Sequence, residues 1–292
     1  MISKQDFICR VKNEVFPSLV TDEKERKQTL LSGLVLIVPA FVSMLLFLYK
    51  YGADAPREIL KIVALSLMGC CFYGAHIWDK FMQKQKNKYS PIFLNFLGNF
   101  QYGKNSIDRE LLRSSCLFPV CEQLKNDDCF SGVLDGTEFS VSELDLLLEK
   151  KGKAHFRGFC IHIPLKNKLS DQTLIFNSKR PLNLIPLQQV VPEDINFAKN
   201  YKVYSNNQIE ALMLLNPAFI KGLSTLKKCF YDSKIDIAFW ENNVLFAIHT
   251  KNDLFESYSL FKPITDSKIY EKYYDEIKVI CDIINILKIT NK

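Results

Sequence analysis

The sequence predicts an α+β protein in which an N-terminal two-helix transmembrane hairpin precedes an antiparallel β-rich domain with a mid-domain helix pair and a C-terminal helix. Three observations support this prediction: two long apolar runs before residue 80, strand and hairpin-turn patterns in the middle of the chain, and an apolar stripe at helical spacing near its end. Strands that precede helices, instead of alternating with them, favour an antiparallel sheet.

The transmembrane prediction depends on the length of the two apolar runs. Residues 30–49 contain no charged side chain, and a helix of that length crosses about 30 Å of hydrocarbon. Pro39 lies near the middle of this run, where a membrane helix tolerates a proline kink. The second run covers about residues 60–78, and its early charge, Lys61, can reach the membrane surface. The first run starts too far into the chain, and is too long, for a cleaved signal peptide.

Lysine and arginine residues predict the orientation of the hairpin. They cluster before the first run and after the second, whereas the connector between the runs holds only three. The positive-inside rule therefore places both termini in the cytoplasm. We predict an N-terminal amphipathic helix over residues 1–28, the transmembrane hairpin over residues 29–80 and a cytoplasmic α+β domain over residues 88–292.

The inner end of the second run carries the candidate membrane-interface residues. An imidazole inside a membrane helix is often functional, but His76 stands near Trp78 at the predicted boundary, where interfacial anchoring is the preferred interpretation. The lysines that follow either set the topology, which we prefer, or recruit anionic lipid. The complete set is Trp78, His76, Lys80, Lys84, Lys86 and Lys88.

Turn signals predict the strands of the β-rich domain. Asp135-Gly136 predicts a two-residue hairpin turn, and a change of apolar parity in the following strand predicts a β-bulge near Ser142 or Glu143. Further turns are expected at Lys151-Gly152 and at Asn242-Asn243. The predicted topology is a strongly bent sheet or a partial barrel that the final helix closes.

Cap signals predict the helices of the same domain. Ser205-x-x-Gln208 is interpreted as a capping box, and Asn216-Pro217 as an N-cap followed by proline at the first helical position. Asp266 is expected to cap the final helix. The aromatic segment that follows Pro91 is interpreted as a strand or an interfacial segment.

Composition and motifs favour no enzyme class. A net charge of +6, spread along the chain, does not indicate a nucleic-acid partner. Nine scattered cysteines fit a reducing compartment, and their spacing lacks zinc-binding pairs, so buried structural thiols are preferred to a metal site. Residues 98–105 approach a phosphate-binding loop, but Asn105 replaces the hydroxyl residue that holds Mg²⁺. We therefore expect no cofactor.

Several segments of the domain carry a family resemblance. The stretch FAKNYKVYSNNQIEALMLLNPAFIKGLSTL, the later IDIAFWENNVLFAIHTKNDLFESYSLFKPI and the upstream CFSGVLDGTEFSVSELDLLLE resemble the bacterial membrane-protein family called domain of unknown function 3137. The resemblance spans roughly residues 97–264 together with the hairpin, and its motifs are apolar and turn positions. It implies a bacterial inner-membrane protein and transfers no active site.

Three kinds of function remain open. The preferred hypothesis is a non-catalytic binding or scaffold module on the cytoplasmic face, in contact with the lipid bilayer and with a protein partner or a second copy. The alternative is a membrane-bound enzyme that uses carboxylates near the first hairpin turn, namely Asp135, Glu138, Glu143 and Asp145. The third is a subunit of an oligomeric transporter or channel, because two helices cannot form a pore alone.

Overall fold

The computed structural model describes residues 1–52, 57–104, 106–119, 121–147, 155–177, 187–230, 233–250 and 261–290. The chain divides into two compact units. The helical unit comprises residues 3–93 and 256–273, and the sheet unit comprises residues 1–2, 94–255 and 274–292.

Long helices build the helical unit. A short helix, α1 (Lys4–Arg10), continues through a π-helical turn (Val11–Val15) into α2 (Phe16–Tyr51), and α3 covers Arg57–Gly98. Gly52 ends α2 with a φ of 51°, a conformation that glycine adopts without a Cβ clash.

Both long helices have the length and composition to cross a membrane. None of the residues in the most apolar window of either helix is buried inside the protein. Leu31, Val35 and Leu46 on α2 are 62, 62 and 63 % exposed. Aliphatic surface on this scale suits hydrocarbon better than water. The prediction of two long apolar helices before the β-rich domain is confirmed.

Before the first apolar run, the N-terminal helical segment buries a ladder of side chains at a spacing of four residues. The ladder consists of Phe7, Val11, Val15 and Leu19. Phe7 meets Phe93 of α3 edge to face, with ring centroids 5.9 Å apart. The helical unit therefore has an apolar core of its own.

Helix α3 continues well beyond the second apolar run. It passes through Pro91 and ends at Gly98, so the expectation of a strand or interfacial segment after Pro91 is wrong. Phe93, Leu94 and Leu97 are buried at helical spacing. Burial of this stripe outweighs the β-propensity of the aromatic residues around it.

An open nine-stranded sheet forms the centre of the sheet unit. Its strands are β1 (Gln101–Tyr102), β2 (Gln123–Leu134), β3 (Thr137–Leu147), β4 (His155–Pro164), β5 (Thr173–Phe176), β6 (Gln189–Val190), β7 (Lys202–Ser205), β8 (Lys234–Trp240) and β9 (Asn243–His249). Their order is β1-β2-β3-β4-β9-β8-β5-β7-β6, with antiparallel pairing throughout. Among the described strands β1 and β6 lie at opposite edges of the sheet. The strongly bent or partial-barrel shape stays a prediction.

The remaining helices are α4 (Arg109–Ser115), α5 (Ile195–Asn200), α6 (Gln208–Leu214), α7 (Pro217–Cys229) and α8 (Ser267–Thr290). The Asn216 cap is confirmed, because its side chain accepts from the Phe219 amide. Asp266 accepts from the Lys268 amide as predicted. The capping box is wrong, because Asn207 and not Ser205 caps α6.

Both faces of the central strands are covered. On one face Phe219 of α7 packs against Phe239, with ring centroids 5.8 Å apart. On the other face Phe118 packs against Phe156 at 4.9 Å, within an apolar cluster that includes Cys160. A two-sided core explains why strict alternation of apolar and polar residues fails in the middle strands.

The turns show where the sequence interpretation holds. Asp135 and Gly136 have φ values of 44° and 82°, which confirms the two-residue hairpin turn. The register shift lies opposite Ser142 and Glu143, as predicted, but the extra residue is in β2 between Asn126 and Cys129 and not in β3. The apolar positions of β3 change parity because both faces of this strand are buried.

The turn between β8 and β9 is at Glu241-Asn242, one residue earlier than predicted. The turn predicted at Lys151-Gly152 lies outside the described residues.

Candidate functional site

A network of charged side chains joins α2 to α3 in the helical unit. Lys88 Nζ donates to Asp22 Oδ2 at 2.6 Å, and the Tyr89 hydroxyl donates to the same oxygen at 2.5 Å. Lys84 Nζ lies 2.7 Å from Glu25 Oε1. We call these five residues the stalk network. Two cross-helix ion pairs at fixed positions set the register of the two helices.

Burial and hydrogen bonding change the titration of Tyr89 and Lys88. Burial and the carboxylate of Asp22 together raise the pKa of the Tyr89 hydroxyl, which therefore stays a donor. Burial alone would lower the pKa of Lys88, but its hydrogen bonds with Asp22 and Tyr89 outweigh burial and raise that pKa. Lys88 is therefore charged at physiological pH.

We expect replacement of Asp22 by alanine to destabilise the helical unit by about 2 kcal/mol, because Lys88 and Tyr89 lose a buried charged acceptor. Replacement of Lys84 should cost less than about 0.5 kcal/mol, because its pair with Glu25 is exposed. Thermal unfolding of both variants in detergent tests the difference. Equal effects would show that the buried pair has no special importance.

The structure places the predicted membrane-interface residues in different surroundings. His76 and Lys80 are exposed, and Trp78 is half-buried with its ring 5.1 Å from that of Phe261. Interfacial anchoring stays a prediction for these residues. Tryptophan beside an aromatic partner at the end of an apolar run is typical of a membrane boundary.

The other three predicted residues lie closer to the protein interior. Lys84 and Lys88 belong to the stalk network, and Lys86 is only 4 % exposed. Their assignment to the membrane interface also stays a prediction. The sequence interpretation missed the partners of these lysines, although Asp22 and Glu25 stand shortly before the first apolar run.

The sheet unit carries an apolar groove between the segment before α5 and the helices α6 and α7. It encloses about 580 Å³. Its apolar lining consists of Pro192, Leu212, Met213, Leu215, Pro217 and Ile220. Two carboxylates and one lysine also line it, namely Glu193, Asp194 and Lys221. We call this feature the apolar groove.

Helix α6 turns apolar side chains outward beside the apolar groove. Ile209 and Met213, one turn apart, are 70 and 71 % exposed, and Val191 is 75 % exposed. Ala211 and Leu214 of the same helix are buried. Large apolar side chains grouped on one surface commonly mark an interaction site. Their exposure costs stability in water, which a bound partner would offset.

Helices α6 and α7 meet at 59°, and together they are long and apolar enough for a broken membrane span. The contact of Phe219 with Phe239 holds α7 on the sheet. The pair is therefore part of the folded sheet unit.

A polar groove of about 580 Å³ lies at the β1–β4 end of the sheet. Glu138, Ser140 and His162 line it, and Ser140 and His162 are direct cross-strand neighbours. His162 Nε2 lies 2.8 Å from Asn243 Oδ1. Burial lowers the pKa of His162, so the ring is neutral at physiological pH.

The lowered pKa of His162 predicts an acid-dependent loss of stability. The folded state resists protonation, so the stabilisation is present above the usual pKa of 6.5 and is lost as pH falls through the folded value. We expect the free energy of unfolding to fall between pH 7 and pH 5, and to fall less in the His162→Gln variant. Denaturant unfolding at several pH values measures this slope. An unchanged slope in the variant would contradict the assignment to His162.

The four carboxylates proposed for an enzyme do not form one cluster. Asp135 is exposed in the hairpin turn, and Glu143 is buried in β3. Glu138 and Glu143 are an odd number of residues apart on β3, so their side chains point to opposite faces. Within the described residues, no group of three or more potential metal ligands occurs.

One polar pair in the sheet unit was missed by the sequence interpretation. His249 Nε2 lies 3.0 Å from Asp236 Oδ2, and Asp236 also accepts from the Asn177 amide at 2.8 Å. The two residues are diagonal neighbours on paired strands. The sequence signal for this pair was the placement of both residues near the open ends of the predicted final hairpin. In the structure the pair links β9 to β8 and to the end of β5.

The fold and these surfaces define a class of protein with two long apolar helices, an open antiparallel sheet and an exposed apolar groove. Residues 154–289 match the family described as "Protein of unknown function (DUF3137)". This match confirms the family that the sequence resembles, over these residues; the two apolar helices lie outside the match.

One solved structure is similar to this chain, the crystal structure of the mycobacterial trehalose monomycolate transport factor A, TtfA. The two chains are 11 % identical, with a TM-score of 0.35, and the alignment covers 64 % of this chain and 88 % of that chain. A likeness of this size gives no indication of function. Among curated proteins, none matches this chain.

Proposed function

We propose that this chain is a non-catalytic, membrane-anchored binding module. The two apolar helices fix it in a bacterial inner membrane, and the sheet unit binds a protein partner in the cytoplasm. The observation that carries the proposal is the outward apolar stripe of α6, where Ile209 and Met213 are both more than two-thirds exposed, at 70 and 71 %. A stripe of this kind beside a groove suits helix-in-groove recognition.

The charge distribution supports the cytoplasmic side. Lysine and arginine residues flank the two apolar helices on the side of the termini, as expected for loops that stay inside. Nine free cysteines suit a reducing compartment. Both observations favour a partner that is itself cytoplasmic or faces the cytoplasm.

A photo-crosslinking amino acid at position 213 tests the binding function in native membranes. We expect a protein adduct from position 213 and none from position 133, because Val133 is an apolar, 56 % exposed residue on β2 outside the apolar groove. Mass spectrometry then identifies the adduct. Equal labelling from both positions, or none from either, would refute binding at the apolar groove.

A further inference from the structure

We infer that the apolar groove pairs with the apolar groove of a second copy of this chain. The inference rests on the proposed function, since it names the partner of the same surface. The arrangement is isologous: a two-fold axis places α6 of one copy against α6 of the other, and each contact then occurs twice.

The groove of each copy is lined by charges of both signs, so the grooves of two copies can be complementary to each other. Glu193 lies in the segment before α5, and Lys221 lies on α7, so opposite charges enter the groove from different elements. Both residues are exposed, whereas Asp194 already accepts from the Phe197 amide. A two-fold axis can set Lys221 of each copy opposite Glu193 of the other. Such paired charges fix the orientation of a contact.

The apolar side chains provide the contact area. Ile209, Leu212 and Met213 stand at helical spacing on the outward side of α6, so two copies of the helix can pack face to face. Methionine adapts its shape to such contacts. An anionic lipid surface fits the groove less well, because Glu193 and Asp194 would face like charge.

Membrane anchoring favours pairing of two copies. Chains held in one membrane meet at a high effective concentration, so a small interface gives substantial association. The pairing is therefore expected to be weak in dilute detergent and strong in the bilayer.

Energy transfer between differently labelled full-length chains in liposomes tests the inference. We expect efficient transfer for the native chain and about tenfold weaker association for Met213→Asp, because each copy would bury a charge in the contact. Val133→Asp is the matched control and should leave transfer unchanged. Absence of transfer in the native chain, or equal effects of the two variants, would overturn the inference.

Charge reversal gives a sharper test of the two-fold arrangement. Lys221→Glu alone and Glu193→Lys alone should each weaken self-association, because like charges then meet twice. A mixture of the two variants should restore energy transfer, since opposite charges then face each other across the axis within each mixed pair. A mixture no better than the separate variants would overturn the arrangement.

The crosslinking and energy-transfer experiments together separate the self-pairing inference from the binding function on which it rests. A crosslink from position 213 to a different protein, without energy transfer between copies, would reject self-pairing and leave the binding function in place. If both the crosslinks and the energy transfer are absent, the self-pairing and the binding function are both rejected.

Discussion

Replacement of Gly158 by alanine is expected to destabilise the sheet unit by more than about 3 kcal/mol. A Cβ at this position would lie 2.0 Å from the carbonyl oxygen of Ile248 on β9, far inside van der Waals contact. Gly158 and Ile248 belong to the paired strands β4 and β9 in the middle of the sheet. Neither backbone can move away without separating these two strands. The φ of 156° adds backbone strain for any residue with a side chain.

Thermal unfolding of the purified full-length chain measures this effect. Gly33→Ala is the matched control, because a Cβ there meets no atom within 4 Å and the residue lies in a helix. We expect the control to retain native stability. A Gly158→Ala variant within about 1 kcal/mol of the native chain would contradict the observed approach of the two strands.

Two aspartates in the first apolar helix are expected to abolish membrane insertion of that helix. Val38 and Phe41 lie near the middle of the run and are 50 and 48 % exposed. Each change from an apolar residue to aspartate at the centre of a membrane helix costs about 3 to 4 kcal/mol, so the pair costs about 6 to 8 kcal/mol. Because the second apolar helix still anchors the chain, the readout is the position of two tags, one at the N-terminus and one after Gly52 in the connector. They should lie on the same side of the membrane in the double variant and on opposite sides in the native chain.

The same helix offers a matched control. Phe16 and Val20 lie on α2 before the apolar run and are 40 and 42 % exposed. Aspartates at these two positions should leave insertion unchanged, because the side chains are predicted to face water. Tags on the same side of the membrane in the control, or on opposite sides in the Val38 and Phe41 double variant, would contradict the assignment of the run.

Most helices could be predicted from local signals. Caps such as Asn216 and Asp266 work through short-range hydrogen bonds, and long uncharged runs depend only on composition. The extension of α3 past Pro91 could not be predicted, because it depends on burial of Phe93 and Leu97. The burial pattern of β3 could not be predicted either, because a strand covered on both faces loses the alternation of apolar and polar residues.

The candidate sites could be predicted only in part. The lysines after Trp78 were visible in the sequence, but their contacts with Asp22 and Glu25 require α2 and α3 to lie side by side. The apolar groove was hidden for a related reason. The stripe of Ile209 and Met213 has the spacing of a buried helix face, and only the fold shows that it points outward.

Topology mapping of the full-length chain tests the central claim most directly. Epitope tags placed at the N-terminus, after Gly52 in the connector and at the C-terminus are probed by protease in sealed right-side-out vesicles. We predict that only the connector tag is cleaved, and that the terminal tags are cleaved after lysis of the vesicles. Cleavage of a terminal tag in sealed vesicles, or protection of all three tags, would contradict a two-helix anchor with both termini in the cytoplasm.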